Sequence, residues 1–289
     1  MAASFGEAFT LTLLTDDPDL AVEADRAGVQ RIGVDLETIG KAARQRGHDT
    51  RLSTHSWDDL DVVGGVVCRA GLFVRINPIH DGTDLEVERA LASRASVLML
   101  PSFSTACEVE RFVDSVQGRA RVVILVEQAA AVARIREILS VPGVDEVMLG
   151  LNDLRLQFSV SNHFEMLASP VVEMLASEVL GHGLPLSIGG VGRVGDDSLP
   201  VPVDLVLAQY PRLGATGAWL SRSFCRAASD IGFGAAVAEL RARLTEWSHV
   251  SPRALARACV ELTAAAAEWT PGRTLVPPAA SASVIDSAV

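Results

Sequence analysis

Residues 121–150, RVVILVEQAAAVARIREILSVPGVDEVMLG, contain the unit from which the fold can be predicted. A short apolar, β-branched run, Arg121–Glu127, precedes a segment in which apolar residues recur every three or four positions, and a second apolar run follows at Glu146–Gly150. A continuous apolar run of this length is typical of a strand that is buried on both faces, and the spacing between the runs is that of an amphipathic helix. The stretch therefore predicts a strand, a helix and a second strand parallel to the first.

The same alternation extends in both directions from this unit, through residues 8–247. The apolar runs that we expect to be strands are Phe9–Thr15, Arg31–Glu37, Leu72–Asn77, Ser96–Pro101, Arg121–Glu127, Glu146–Gly150, Pro185–Gly190 and Leu205–Tyr210. Eight runs are the number that closes a parallel barrel, whereas an open doubly wound sheet usually carries a glycine-rich phosphate turn after its first strand. No such turn follows the first run here. We therefore predict a (β/α)8 TIM barrel with extra C-terminal helices and with its chemistry at the carboxyl ends of the strands.

The lengths of the connections and the composition of the C-terminus divide the chain. Two polar connections, residues 38–55 and 151–163, are longer than the others and are expected to be loops on the active face. We predict a barrel domain over residues 1–229, a helical extension over 230–270 with helices near 231–247 and 252–268, and a disordered tail over 271–289.

The composition limits the classes of partner. Of the 289 residues 49% are hydrophobic and 21% are charged, and the formal net charge of −11 argues against binding to nucleic acid or to an anionic membrane. The four cysteines match no CxxC spacing, so neither a disulfide nor a zinc site is expected. The N-terminus lacks the pattern of a signal peptide, and no apolar stretch approaches the roughly 20 residues that span a bilayer. We expect a cytoplasmic protein.

Several predicted strands end in a residue that is costly to bury without a function. Strand two ends at Glu37, strand three carries Arg75, strand five ends at Glu127, and Asp153 follows strand six by three residues. The carboxyl ends of barrel strands converge on one rim, so residues far apart in sequence can share a site. Asp35, two residues before Glu37, is expected to face the same side and to support the site.

Glu127 and Asp153 are the candidate metal ligands. Two carboxylates with open positions for water suit a hard divalent ion such as Mg²⁺ or Mn²⁺. Such an ion can bind the two oxygens of a 2-oxo acid and stabilise its enolate, and Arg75 beside it can hold the same oxygens with two parallel hydrogen bonds. Structural alternatives stay open here: a solvated strand end for Glu127, a helix N-cap for Asp153 and an ion pair for Arg75.

Five segments resemble, in order, the HpcH/HpaI aldolase and citrate-lyase β-subunit family of metal-dependent barrels. They are GVQRIGVDLE (28–37), FVRINP (73–78), VLMLPSFSTACEVERFV (97–113), VVILVEQAAAV (122–132) and GVDEVMLGLNDL (143–154). The resemblance implies a class II, divalent-metal aldolase, which makes or breaks a carbon–carbon bond through the enolate of pyruvate or a related 2-oxo acid. It also implies a homo-oligomer, either a trimer or a hexamer.

The resemblance also assigns roles to individual residues. Glu127 and Asp153 would ligate Mg²⁺ or Mn²⁺, and Arg75 would bind the oxygens of the oxo acid or its enolate. Backbone amides around Leu151 and Asn152 would help to hold the substrate carboxylate.

The chain departs from the family pattern at the catalytic base. The pyruvate aldolases often have a histidine after strand two, which DLETIGK lacks, and of the acidic pair in the citrate-lyase-like members only Glu37 is present. Glu37 is a candidate catalytic residue, and the candidate bases on the two long connections are His55 and His163. Lys41 and Arg44 are candidates for binding the distal end of the substrate.

Two other functions stay open at this point. A citrate-lyase-like enzyme would act on an acyl-CoA thioester in place of a 2-oxo acid and an aldehyde. A barrel that has lost catalysis would serve as a binding or scaffold subunit, and the altered residues of the active-face connections are what favour it.

The composition of the C-terminus makes a first prediction. Deleting residues 272–289 should leave the melting temperature and the activity essentially unchanged, because PPAASASV offers little apolar surface to bury. Thermal denaturation of the full and shortened chains measures the difference, and a clear loss of stability in the shortened chain would show that these residues dock.

Overall fold

The computed structural model describes residues 3–40 and 54–269. Eight strands form one closed parallel barrel in chain order, in which β8 pairs with β1. The strands are β1 (Thr10–Leu14), β2 (Arg31–Asp35), β3 (Gly71–Arg75), β4 (Val97–Leu100), β5 (Arg121–Val126), β6 (Glu146–Leu149), β7 (Leu186–Val191) and β8 (Gly217–Leu220). The prediction of a (β/α)8 barrel is confirmed.

Helices connect and surround the strands, and most bury their apolar faces against the outside of the barrel in one large core cluster, while Leu255 and Ala258 form a small separate cluster with Ala208. In the first half of the chain they are α1 (Phe5–Ala8), α2 (Pro18–Arg26), α3 (Trp57–Val66), α4 (Thr83–Ala92), α5 (Ala106–Val116), α6 (Ala129–Ala133) and α7 (Ile135–Leu139). The second half has α8 (Leu151–Gln157), α9 (His163–Leu167), α10 (Pro170–Gly181), α11 (Val203–Leu207), α12 (Gln209–Leu213), α13 (Arg222–Ala228), α14 (Phe233–Ser248) and α15 (Pro252–Glu268).

The predicted position of the eighth strand is wrong. Residues 205–207 end α11 and residues 209–210 begin α12, and β8 is the shorter segment GAWL at 217–220. Val203, Val206, Leu207 and Tyr210 are buried, and their spacing of three, one and three residues is that of a helix face. A continuous apolar run does not distinguish a buried helix from a buried strand, and that ambiguity produced the error.

The other boundaries differ less from the prediction. The connection 151–163, predicted as a loop, begins with α8, and the two helices of the extension occupy 233–248 and 252–268. Residues 41–53 of the first long connection and the predicted tail at 271–289 lie outside the described residues, and the division into three parts remains a prediction. Within the described ranges, no helix combines the length and the apolar character needed to cross a membrane.

Alternate strand residues point into the barrel, because successive side chains of a strand face opposite sides. The interior is an apolar cluster that is separate from the helix-facing core. Its members are Phe73, Val97, Met99, Val123, Leu125 and Met148, with Leu14 and Trp219 packed against them. The apolar cluster fills the middle of the barrel and leaves the polar residues at its two ends.

A buried ion pair lies at the amino end of the barrel, where β2 and β6 begin. Arg31 donates from Nη1 and Nη2 to the two carboxylate oxygens of Glu146, at 2.9 and 2.5 Å. The hydroxyl of Ser187 donates to Oε1 of the same carboxylate at 2.7 Å, and all three side chains are buried. This end of the barrel is therefore closed by a satisfied polar cluster, and the opposite end carries the candidate site.

Loss of one member of this pair should destabilise the protein strongly. Glu146→Ala leaves Arg31 buried without its carboxylate, so we expect the free energy of unfolding to fall by about 3–5 kcal/mol. The double variant Arg31→Met/Glu146→Leu removes both charges and should recover most of that loss. Urea denaturation followed by circular dichroism measures the free energy of unfolding of both variants. A fully stable Glu146→Ala variant would contradict the stabilising role of this ion pair.

Candidate active site

The predicted site residues meet at the carboxyl end of the barrel. Asp35 and Arg75 are the last residues of β2 and β3, Glu127 directly follows β5, and Asp153 lies in α8, which follows β6. Arg75 comes two residues after the interior Phe73, so its side chain continues the inward face of the strand. The four side chains are buried and lie at the end of the interior opposite the Arg31 ion pair.

Arg75 and Asp35 form a buried bidentate ion pair between neighbouring strands. The two residues are direct partners in the register of β2 and β3. Nε of Arg75 donates to Oδ1 of Asp35 at 2.7 Å, and Nη2 donates to Oδ2 at 2.5 Å. Asp35 thus fixes the plane of the guanidinium, and Nη1 of Arg75 donates to none of the described residues.

Two further groups surround the guanidinium. Oε2 of Glu37 lies 3.6 Å from Nε of Arg75, and Cζ of Arg75 lies 5.0 Å from the centre of the Trp219 ring. Burial alone would lower the pKa of Arg75, but the carboxylates of Asp35, Glu37 and Glu127 outweigh it and raise that pKa above its usual value. Arg75 is therefore a fixed positive charge at every working pH.

Glu127 lies against the backbone of the next strand. Val126 is paired with Leu149, and the N–H of Gly150 donates to the carbonyl of Val126 at 2.9 Å. A Cβ atom on Gly150 would lie 2.9 Å from both Cβ and Oε2 of Glu127, which is closer than real Cβ contacts come. The glycine therefore leaves the space that the carboxylate of Glu127 occupies.

Asp153 lies in the first turn of α8. The N-cap of this helix is Gly150, so the alternative that Asp153 is the N-cap is wrong. Asp153 is 8% exposed, and its Oδ1 is buried and accepts no hydrogen bond from the described residues. Leu151 and Asn152, whose backbone amides were predicted to bind the substrate carboxylate, are the first two residues of the helix, where N–H groups have no partner within the helix.

The donor set fits a hard divalent cation. A buried carboxylate oxygen without a hydrogen bond, as in Asp153, is costly unless a cation lies beside it. Glu127 supplies a second buried carboxylate from the neighbouring strand end, and both groups are oxygen donors of the kind that Mg²⁺ and Mn²⁺ prefer. Within residues 3–40 and 54–269, no group of three or more His, Cys, Asp or Glu side chains is arranged to hold a metal.

His55 contacts the site through the backbone of Asp35. Its Nδ1 accepts a hydrogen bond from the N–H of Asp35 at 3.1 Å, and its Nε2 lies 3.9 Å from Oδ1 of Asp16. A neutral His55 in this arrangement carries its proton on Nε2. The structure therefore places this candidate base beside the Arg75–Asp35 ion pair, in contact with the backbone of Asp35.

His163, the other candidate base, is the first residue of α9 and packs among aromatic rings. The centre of its ring lies 4.0 Å from that of Phe164 and 5.6 Å from that of Trp269. Burial, assisted by the charge of Arg155, lowers the pKa of His163 to about 4. These contacts give His163 a packing role between α9 and the end of the C-terminal extension.

The neighbouring Asn162 joins the same two elements. Its Oδ1 accepts hydrogen bonds from the N–H groups of Phe164 and Glu165, at 3.0 and 2.9 Å. Its Nδ2 donates to the carbonyl oxygens of Ala266 and Trp269, at 2.9 and 3.1 Å. One fully buried amide therefore begins α9 and also satisfies carbonyls at the end of α15.

Two of the predicted substrate-binding residues, Lys41 and Arg44, lie outside the described residues. Trp219 was not predicted as a site residue, because the eighth strand was placed too early in the chain. The correct β8 places its ring against the interior cluster. The contact between Ser102 and Gln128 was missed too. Nε2 of Gln128 donates to Oγ of Ser102 at 2.9 Å, across the ends of β4 and β5.

Several solved structures share this barrel. An HpcH/HpaI aldolase from Desulfitobacterium hafniense DCB-2 is 17% identical, with a TM-score of 0.58, and the match covers 78% of this chain and 90% of that one. An HpcH/HpaI aldolase/citrate lyase family protein from Burkholderia cenocepacia J2315 is 19% identical, with a TM-score of 0.57 and coverage of 82% and 95%. The citrate synthase SbnG is 14% identical, with a TM-score of 0.58 and coverage of 78% and 91%. At these identities the likeness shows the fold.

The sequence itself gives the family. No curated protein sequence matches the chain. The family model described as HpcH/HpaI aldolase/citrate lyase matches residues 9–172, which is more than half of the chain and includes Asp35, Arg75, Glu127 and Asp153. The chain therefore belongs to the HpcH/HpaI aldolase/citrate lyase family, a family of lyases and aldolases.

Proposed function

We propose that the protein is a divalent-metal-dependent carbon–carbon lyase that acts through the enolate of pyruvate or a related 2-oxo acid. The observation that carries this proposal is the buried Oδ1 of Asp153, which accepts no hydrogen bond from the described residues at the same rim as Glu127 and Arg75. Membership of a family that is generally dependent on divalent metals supports it further.

Glu127 and Asp153 would hold the ion, which we take to be Mg²⁺ or Mn²⁺. A bound divalent ion supplies Lewis-acid stabilisation of negative charge on the oxygens of a 2-oxo acid. Arg75 contributes a fixed positive charge whose orientation is set by Asp35 before any substrate arrives. Its Nη1 is the donor we assign to the substrate oxygens, because Nε and Nη2 are already bonded to Asp35.

Removal of a proton from the 2-oxo acid requires a base at the same rim. His55 already uses Nδ1 to accept from the N–H of Asp35, and protonation of that nitrogen would break the hydrogen bond. Glu37 is 2% exposed and lies 3.6 Å from Nε of Arg75, at the end of the strand that carries Asp35. We therefore propose that the Glu37 carboxylate accepts the proton removed from the 2-oxo acid. His55 would support the backbone of Asp35.

The metal assignment predicts the behaviour of two isosteric variants. Glu127→Gln and Asp153→Asn keep the shape of each side chain but remove ligand charge, so each should abolish the rise in melting temperature that Mg²⁺ or Mn²⁺ produces. Glu178→Gln, the same change at a carboxylate paired with Arg136 on the outer surface, is the matched control and should keep the full metal response. Unchanged metal binding in both site variants would refute the assignment.

The reaction assignment predicts exchange of pyruvate methyl protons for deuterium in D₂O. An enzyme that forms the enolate must remove these protons even without its aldehyde partner, so proton NMR should show exchange with Mg²⁺ and none after chelation. Glu127→Gln and Glu37→Gln should stop it. Arg75→Lys keeps the charge but loses the planar fork, and it should cost about 2–4 kcal/mol of transition-state stabilisation.

The same experiment separates the competing functions. A thioester lyase would leave free pyruvate unchanged but exchange the α-protons of an acyl-CoA, and a non-catalytic barrel would exchange neither. Full exchange in Glu37→Gln together with its loss in His55→Ala would return the role of base to His55. An active Arg75→Lys variant would limit Arg75 to a structural ion pair.

A further inference from the structure

The chain leaves the regular pairing of β2 just before Glu37. The last backbone hydrogen bond of this edge is from the N–H of Leu36 to the carbonyl of Arg75, at 2.9 Å. Beyond Leu36, the side chain of Asn77 replaces the backbone of β3 as the hydrogen-bond acceptor. Oδ1 of Asn77 accepts from the N–H of Thr38 at 2.8 Å and from the N–H of Ile39 at 2.9 Å.

The amide of Asn77 is itself held in one orientation by Glu86, on α4. Nδ2 of Asn77 donates to Oε1 of Glu86 at 2.6 Å, and the backbone N–H of Asn77 donates to Oε2 at 3.1 Å. Asn77 is 7% exposed, so water does not replace these bonds. A turn of the amide by 180° would place its NH₂ group against two N–H donors and its oxygen against a carboxylate. The orientation that accepts from residues 38 and 39 is thus the favoured one.

Glu37 is held by hydrogen bonds on both sides along the chain. Its own N–H donates to Oδ1 of Asp35 at 3.2 Å, and the next two N–H groups donate to Asn77. The backbone of Glu37 is therefore fixed by two side chains, because regular strand pairing has ended. We propose that Asn77, oriented by Glu86, is a positioning residue that sets the place of the Glu37 carboxylate beside Arg75. This inference rests on the proposed function in taking Glu37 as the proton acceptor.

Exchange of donor and acceptor between the two side chains tests the inference. Asn77→Asp keeps an oxygen for Thr38 and Ile39 but places a carboxylate against that of Glu86. Glu86→Gln alone places an NH₂ group against one of two donors, either the NH₂ group or the backbone N–H of Asn77. The double variant Asn77→Asp/Glu86→Gln restores one donor and one acceptor with the net charge unchanged, since Gln can donate to the new carboxylate and still accept from the N–H of residue 77.

We expect each single variant to lower kcat for pyruvate deuterium exchange by about tenfold to a hundredfold, because a small displacement of the catalytic group is enough for such a loss. The double variant should recover most of it. The rise in melting temperature with Mg²⁺ should be the same in all of them, because Glu127 and Asp153 are untouched. Asp61→Asn, which weakens an exposed contact with Arg89 between α3 and α4, is the matched carboxylate-to-amide control and should leave kcat unchanged.

Hydrogen exchange of the backbone amides of Thr38 and Ile39 provides a readout that does not depend on activity. Protection should fall in Asn77→Ala and return in the double variant. A wild-type protein that exchanges no pyruvate would refute the proposed function, while amide protection would still report whether Asn77 anchors the segment. Lost protection with unchanged kcat, or a double variant as impaired as Asn77→Asp, would overturn the positioning role.

Discussion

Two opposite charges, Arg75 and Asp35, are buried side by side where β2 and β3 end, and the candidate site depends on this contact. Either charge alone would be very costly inside the barrel, and breaking such a pair typically costs about 3–5 kcal/mol. Neither residue can therefore be replaced by itself without loss. The pair also links chain segments, since the N–H of Asp35 binds His55 and its carboxylate binds the N–H of Glu37. The guanidinium is consequently oriented before a ligand binds, which lowers the reorganisation that a reaction would require.

The barrel interior has a charged group at each end and an apolar cluster between them. The Arg31–Glu146 pair closes the amino end, and Phe73, Met99 and their neighbours fill the middle. A ligand can approach the rim from the carboxyl end only. The apolar cluster beneath Arg75 also lowers the local dielectric constant, which strengthens the interaction of Arg75 with any negative charge that develops above it.

The sequence predicted the barrel and most of the rim because both follow from local periodicity. Glu127 and Arg75 stand at strand ends in long apolar runs, and the alternation of a strand fixes the side they face. The eighth strand could not be placed this way, because the buried helices α11 and α12 have the same apolar content as a strand and GAWL contains no β-branched residue. Trp219 was lost with it.

Side-chain contacts between elements could not be predicted from the sequence, for another reason. The pairing of His55 with the N–H of Asp35, and of His163 with Trp269, depends on tertiary packing that no spacing encodes. The sequence offered His55 and His163, one on each long connection, as alternative candidates for the base, and the structure gives each histidine other contacts. Asp35 was expected to support the site, but its bidentate bond to Arg75 emerged only once the register of β2 and β3 was known.

Asn162 has a consequence for how the molecule loses its structure. Because one amide serves the start of α9 and the end of α15, fraying of either helix end leaves the other with unsatisfied backbone groups. The end of α15 and the start of α9 should therefore open together as one cooperative unit. The C-terminal extension is in this respect a part of the barrel's folding unit, although it lies outside the barrel in sequence.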